Sequence, residues 1–125
     1  MRPEPAVWSC LEYAAHTRDI VALHVYGVEQ ALTSDEPVFP TIDGDLVDQA
    51  AEAYGDEDSE KVGAELQSQA LRLAEVADDA GSDAWVRGLT IGDSRSDVRR
   101  LLEHALHDSL HHLEDVERGL SLLRA

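Results

Sequence analysis

Apolar residues recur every three or four positions along three long stretches of the chain, a spacing that fits an α-helix and not a β-strand. The pattern predicts helices over about 10–33, 59–79 and 95–118, with a shorter helix over 46–54. No stretch shows the sustained alternation of apolar and polar residues that is typical of a half-buried strand. The sequence therefore predicts an all-α fold.

The start of the first helix carries a strong local signal. Ser9 is suited to cap the helix, and Glu12 stands three residues later, as in a capping box. Trp8, just before the cap, and Tyr13 have the spacing of a hydrophobic staple. We therefore expect this helix to begin immediately after Ser9.

Other helix ends are marked by acidic residues, serine and glycine. Asp45 and Asp58 are expected to cap the two middle helices, and Ser94 with Asp97 has the spacing of a capping box for the last helix. Gly119 either ends the last helix or lies inside it.

Charge and length narrow the class of protein. The 125 residues include 26 acidic and 10 basic side chains, which gives a net charge of −16, and one cysteine. Such acidity disfavours binding to nucleic acid and to anionic membranes. A single cysteine cannot form an internal disulfide. No apolar run approaches the ~20 residues of a membrane span, and no signal peptide is apparent. We expect a single cytoplasmic domain over residues 1–125.

The histidines are the main chemical feature. There are six of them: His16, His24, His104, His107, His111 and His112. Helical spacing places His112 on the apolar face of the last helix with Asp108 one turn earlier, and places His16 on an apolar arc of the first helix. Two ligands one turn apart and a third from a facing helix can hold a divalent metal. Two alternatives remain open at this point: hydrogen-bonded core histidines, or a ligand pair at His107 and His111.

Two segments resemble a known family. Residues 8–19 are similar to the W-S-x-L-E-Y-x-x-H-x-R-D segment of DinB-like proteins, and residues 106–116 are similar to their L-H-D-x-x-H-H-L-x-D-V segment. The intervening loop at 39–45 and the joint at 54–58 occur in the expected order. The resemblance therefore covers nearly the whole chain.

The resemblance implies an up-and-down helical bundle that holds a divalent metal of the zinc, nickel or iron class. The first metal histidine of the family matches His16, and the terminal-helix pair matches Asp108 and His112. The family often has histidine where this chain has Asp108. Mycothiol-dependent maleylpyruvate isomerases, which belong to the same superfamily, also carry an acidic residue there.

The function implied by the resemblance is metal-dependent S-transfer or isomerisation, with a low-molecular-weight thiol such as mycothiol as co-substrate and a small electrophile as substrate. The alternative is a non-catalytic dimeric bundle with a structural metal or a partner-binding role. Relatives usually have a long helix before the W-S-x-L-E segment, whereas residues 1–7 precede it here. We therefore expect the usual first helix to be missing and a homodimer to cover the exposed apolar surface.

Several residues near these ligands have two interpretations. Glu12, Asp19 and Asp115 are either carboxylates that orient the imidazoles or ordinary surface acids. Arg18 either meets an anionic substrate or forms a salt bridge on the helix surface. Cys10, in the first turn of the first helix, is either a reactive thiol or a small residue that fills a helix start.

Overall fold

The computed structural model describes residues 2–3, 7–41 and 44–124, without the side chains of 44–46. Three long helices, one short helix and three short strands make up the fold. In chain order they are α1 (Cys10–Thr33), β1 (Val38–Phe39), α2 (Gly44–Ala51), α3 (Ser59–Ala80), β2 (Gly88–Ile91), β3 (Ser94–Asp97) and α4 (Val98–Arg124). Single 3-10 turns cover Tyr54–Asp56 and Ser82–Val86. The predicted helical fold class is confirmed.

Helix α1 begins where the sequence predicted. The backbone N–H of Glu12 donates to Ser9 Oγ at 3.2 Å, and the Ser9 N–H donates to Glu12 Oε1 at 3.2 Å, which completes the capping box. The Trp8 and Tyr13 rings lie 5.4 Å apart between centroids. Because these contacts are local, they fix the start of α1 and the direction from which the chain enters it.

Helix α1 is the centre of the fold, because both α3 and α4 pack against it. In the described part of the chain, α3 and α4 make at most marginal contact with each other. The buried core forms two clusters along α1. One contains Val28, Ala31, Val76, Leu89, Val98 and Leu101, and the other contains Ala15, Tyr54 and Val62.

Helix α3 matches its predicted bounds to within one residue at its end. Asp58 caps it as expected, since its carboxylate accepts a hydrogen bond from the Lys61 N–H at 3.0 Å. Gly81 follows the helix with φ +75°, a conformation that glycine adopts at little cost. The short helix α2 begins at Gly44, so Asp45 lies inside the helix and not at its cap. The Asp45 side chain lies outside the described part of the structure.

The expectation that the chain has no strands was wrong. Strands β1 and β2 pair in parallel with Val38 opposite Thr90, and β2 pairs with β3 in an antiparallel hairpin. Each strand has only two to four residues, too few for an alternating pattern to stand out. The Gly92-Asp93 pair between the hairpin strands was the available signal, with Gly92 at φ +59°.

This hairpin also corrects the predicted start of the last helix. Ser94 belongs to β3 and does not cap α4. Asp97 does act as a cap, because its Oδ1 accepts from the Arg100 N–H at 2.8 Å. At the other end, α4 continues through Gly119 to Arg124. Of the two possibilities left open for Gly119, the glycine therefore lies inside the helix.

No helix in the described ranges is long and apolar enough to cross a membrane.

The small sheet contributes to the core through Leu89, which is 1% exposed. Replacing Leu89 with Ala is expected to lower the free energy of unfolding by about 2–5 kcal/mol, because it leaves a cavity in the first core cluster. Urea denaturation followed by circular dichroism measures this difference. Val86→Ala is the control, because Val86 is 76% exposed and its truncation should have little effect. Equal stability of the two variants would contradict the packing of β2 on the helices.

Candidate metal centre

The three side chains predicted as metal ligands meet between α1 and α4. One ligand atom each from His16, Asp108 and His112 lies within 4.8 Å of the other two, and all three residues are partly buried. The two imidazole rings lie 4.9 Å apart between centroids, at an angle of 88°. Among the described residues, this is the single group of three or more potential ligands that lies so close together.

The local structure explains this arrangement. Asp108 and His112 are four residues apart on α4, so their side chains point to the same side one turn apart. His16 lies two turns into α1, whose start is fixed by the capping box of Ser9 and Glu12. The packing of α4 on α1 then brings the two halves of the group together.

Both ring nitrogens of His112 face carboxylates of α4. Its Nδ1 lies 3.3 Å from Asp115 Oδ2, and its Nε2 lies 3.7 Å from Asp108 Oδ2. In the tautomer that donates its Nδ1 proton to Asp115, Nε2 carries a lone pair that faces the Asp108 oxygen. Two electron-pair donors at this separation lie too far apart for a hydrogen bond and suit a shared cation. Donors that bind one zinc ion at about 2.0–2.2 Å each lie at most about 4.4 Å apart.

The protonation state of His16 also suits metal binding. Burial, followed by the nearby His112, lowers the pKa of His16 below the ordinary histidine value. The imidazole is therefore neutral at pH 7, which is the form that binds metals. Aromatic rings enclose the pair on one side. The Trp8 ring centroid lies 5.1 Å from that of His16, and the Tyr13 centroid lies 5.7 Å from that of His112.

Of the three carboxylates proposed to orient the imidazoles, Asp115 alone makes a hydrogen bond of this kind in the described structure. Glu12 is engaged in the capping box and by Arg2, whose Nε and Nη2 donate to its carboxylate at 2.7 and 2.6 Å. Hydrogen bonds from Arg2 lower the pKa of Glu12 to about 2. Asp19 accepts from the Tyr54 hydroxyl at 2.7 Å and from Arg18 at 2.9 Å. Glu12 and Asp19 therefore have structural roles.

Arg18 forms a salt bridge, which was one of its two interpretations from the sequence. Its guanidinium donates to both carboxylate oxygens of Glu57, at 2.8 and 3.0 Å. Together with Asp19 and Tyr54, this ion pair ties α1 to the joint before α3.

Cys10 is half-buried, and its Sγ lies 3.7 Å from the Val116 carbonyl oxygen. That position against α4 fits the interpretation of Cys10 as a small packing residue.

The alternative ligand pair is not assembled into a site. His107 and His111 are both exposed, and neither belongs to a cluster of three potential ligands among the described residues. Their positions fit a solvated face of α4.

A second pair of histidines was missed by the sequence reasoning. His24 Nε2 and His104 Nδ1 lie 2.9 Å apart, and His24 Nδ1 lies 2.7 Å from the Ile20 carbonyl oxygen. His24 is 8% exposed, and His104 reaches it from the solvent side of α4. The signal was the eight-residue spacing, since His24 follows His16 and His104 precedes His112 by that interval. His16 and His24 therefore lie toward the same side of α1, and His104 and His112 lie toward the same side of α4.

The fold and this cluster define a helical bundle with a candidate metal centre between two helices. A family model of the DinB superfamily matches residues 1–116, a span that includes all three candidate ligands. The chain belongs to the DinB superfamily. Comparisons with curated proteins and with solved structures gave no significant match.

Acid is expected to destabilise the protein through His24. Burial lowers the pKa of His24, so below the ordinary value of about 6.5 the unfolded chain takes up a proton more readily than the folded one. The free energy of unfolding should therefore fall as the pH drops from 7.5 toward 5. His24→Gln should reduce this slope, as measured by urea denaturation at several pH values.

The control for this prediction is His111→Gln, which removes an exposed imidazole. It should leave the slope close to that of the wild type. Identical slopes for the wild type and His24→Gln would contradict the role assigned to His24.

Proposed function

We propose that the protein binds one divalent metal ion through His16, Asp108 and His112, and that the site promotes S-transfer or isomerisation reactions of a small thiol with an electrophile. The observation that carries the proposal is the facing pair of His112 Nε2 and Asp108 Oδ2, with His16 beside them. Membership of the DinB superfamily supports it.

The donor set suits a metal of the zinc, nickel or iron class. Two imidazoles and one carboxylate are typical ligands for these ions, and three protein ligands leave positions open for a further molecule. A bound divalent cation would favour the thiolate form of a thiol, which is its reactive form.

The chain's own residues would prepare the site. Asp115 orients the His112 ring by accepting its Nδ1 proton, and such contacts also make an imidazole a better ligand. The low pKa of His16 keeps its ring neutral. Trp8 packs against the His16 ring and Tyr13 against the His112 ring. The net charge of −16 attracts cations to the surface as a whole.

Metal binding is tested by isothermal titration with Zn²⁺, Ni²⁺ and Fe²⁺ and by metal analysis of the dialysed protein. The wild type should bind one ion per chain. His16→Ala and His112→Ala should weaken binding at least tenfold, because each removes one of three ligands.

His107→Ala and His111→Ala are matched controls on the same helix and should bind like the wild type. A wild type without stoichiometric metal, or an equal loss in the controls, would overturn the assignment of the ligands.

A structural role for the metal is the second candidate, because His16 and His112 belong to different helices and a shared ion would hold α1 and α4 together. The two functions differ in their response to thiols. Mycothiol should raise the melting temperature of the metal-loaded protein, since a ligand at 100 times its dissociation constant stabilises by about 2.7 kcal/mol.

The S-methylated form of mycothiol, which cannot become a thiolate, is the control and should give a much smaller shift. Stabilisation by the metal with no effect of the thiol would favour the structural role. The homodimer stays a prediction.

A further inference from the structure

A long apolar groove runs beside the candidate metal centre. Since α3 and α4 both pack on α1 and barely touch each other, the space between them stays open, with α1 as its floor. The groove has a volume of about 560 Å³. The residues that line it include Ala14, Val21, Gly63, Leu66, His112 and Leu113. This volume lies in the range of sites for small organic molecules, roughly 300–1,000 Å³.

The groove and the metal centre share a residue. His112 lines the groove and is also one of the three clustered potential ligands. A molecule lying in the groove would therefore come close to the centre.

The chemistry of the walls restricts what can bind. Among the described residues that line the groove there is no lysine, arginine, aspartate or glutamate. The hydroxyl of Thr17, one of its few polar groups, already donates to the Tyr13 carbonyl oxygen at 2.8 Å. A charged ligand would lose part of its hydration there without gaining an oppositely charged side chain from these residues, and the net charge of −16 further disfavours anions.

The small residues that line the groove also leave space for a bulky ligand. Apart from the chain neighbours and nearby backbone of α3 itself, no described atom lies within 4 Å of the position where a side chain at Gly63, in the second turn of α3, would begin. Ala14 and Ala70 add two more small side chains. The occupant can therefore lie directly against the helix backbones.

We propose that this groove binds the apolar body of an uncharged small molecule, with an alkyl or aryl chain along α1 and its reactive end beside His112. The proposal deepens the proposed function, because it makes this molecule the electrophilic substrate and thus rests on the metal centre for the reaction. Binding of the apolar body itself requires no metal. A second copy of the chain, as predicted from the sequence, is the competing occupant.

The first experiment measures the fluorescence of N-phenyl-1-naphthylamine, an uncharged apolar dye, with metal-free protein. The wild type should bind the dye and enhance its emission. Gly63→Phe should weaken binding at least tenfold, because the ring fills the groove. Ala64→Phe adds the same ring to an exposed neighbour that does not line the groove, and it should bind like the wild type.

Ala70→Phe provides a second variant if Gly63→Phe does not fold, since Ala70 is exposed on the same wall. Circular dichroism identifies the folded variants. No dye binding by the wild type, or equal binding by all folded variants, would overturn the proposal.

The second experiment tests whether the groove leads to the centre. Octanohydroxamic acid and octanamide have similar chains, but the hydroxamate alone is a strong metal-binding group. With Zn²⁺-loaded wild type, the hydroxamate should displace the dye at least tenfold more effectively than the amide. This advantage should disappear in His16→Ala.

The outcomes separate the two proposals. Dye binding without zinc binding would contradict the metal centre and leave the groove in place. Zinc binding with equal displacement by the two compounds would overturn the placement of the reactive end. Light scattering of each sample tests the homodimer. A wild-type dimer that binds no dye and becomes monomeric in Gly63→Phe would make the groove a dimer interface and overturn the ligand proposal.

Discussion

The packing of α4 against α1 is the interaction on which the candidate site depends, because neither helix holds a complete set of ligands. Asp108 and His112 come from α4, and His16 comes from α1. The same contact brings His104 to His24 two turns further along. Buried apolar residues such as Val28 and Leu101 stabilise the helix pair, so the position of the polar groups follows from the core.

The carboxylates around the centre fall into two groups, those that stabilise the fold and those that face His112. Glu12 and Asp19 stabilise the start of α1 and its link to the joint before α3 through Arg2, Arg18 and Tyr54. Asp108 and Asp115 instead face His112. The cluster therefore combines the imidazoles of His16 and His112 with two carboxylates of α4.

Local features were predictable from the sequence, and features that depend on packing were less so. The starts of α1 and α3 follow from Ser9 and Asp58, which bond to backbone within three residues. The placement of Asp108 and His112 on one face follows from helical spacing. The hairpin of β2 and β3 was missed because its strands are very short, and strand β1 was missed because it pairs with residues that are distant in the chain. The bond between His24 and His104 was missed because it depends on how the two helices meet.

Gly119 lets α4 pack closely against the start of α1. It is buried where α4 meets the start of α1, and a methyl group there would lie 3.7 Å from Cys10 Sγ and 3.6 Å from the Pro3 ring. Alanine would therefore fit in ordinary van der Waals contact with both neighbours. His112 lies seven residues earlier, about two turns away on the same side of α4. The small volume of Gly119 thus lets α4 lie close to the start of α1, on the face of α4 that also carries His112.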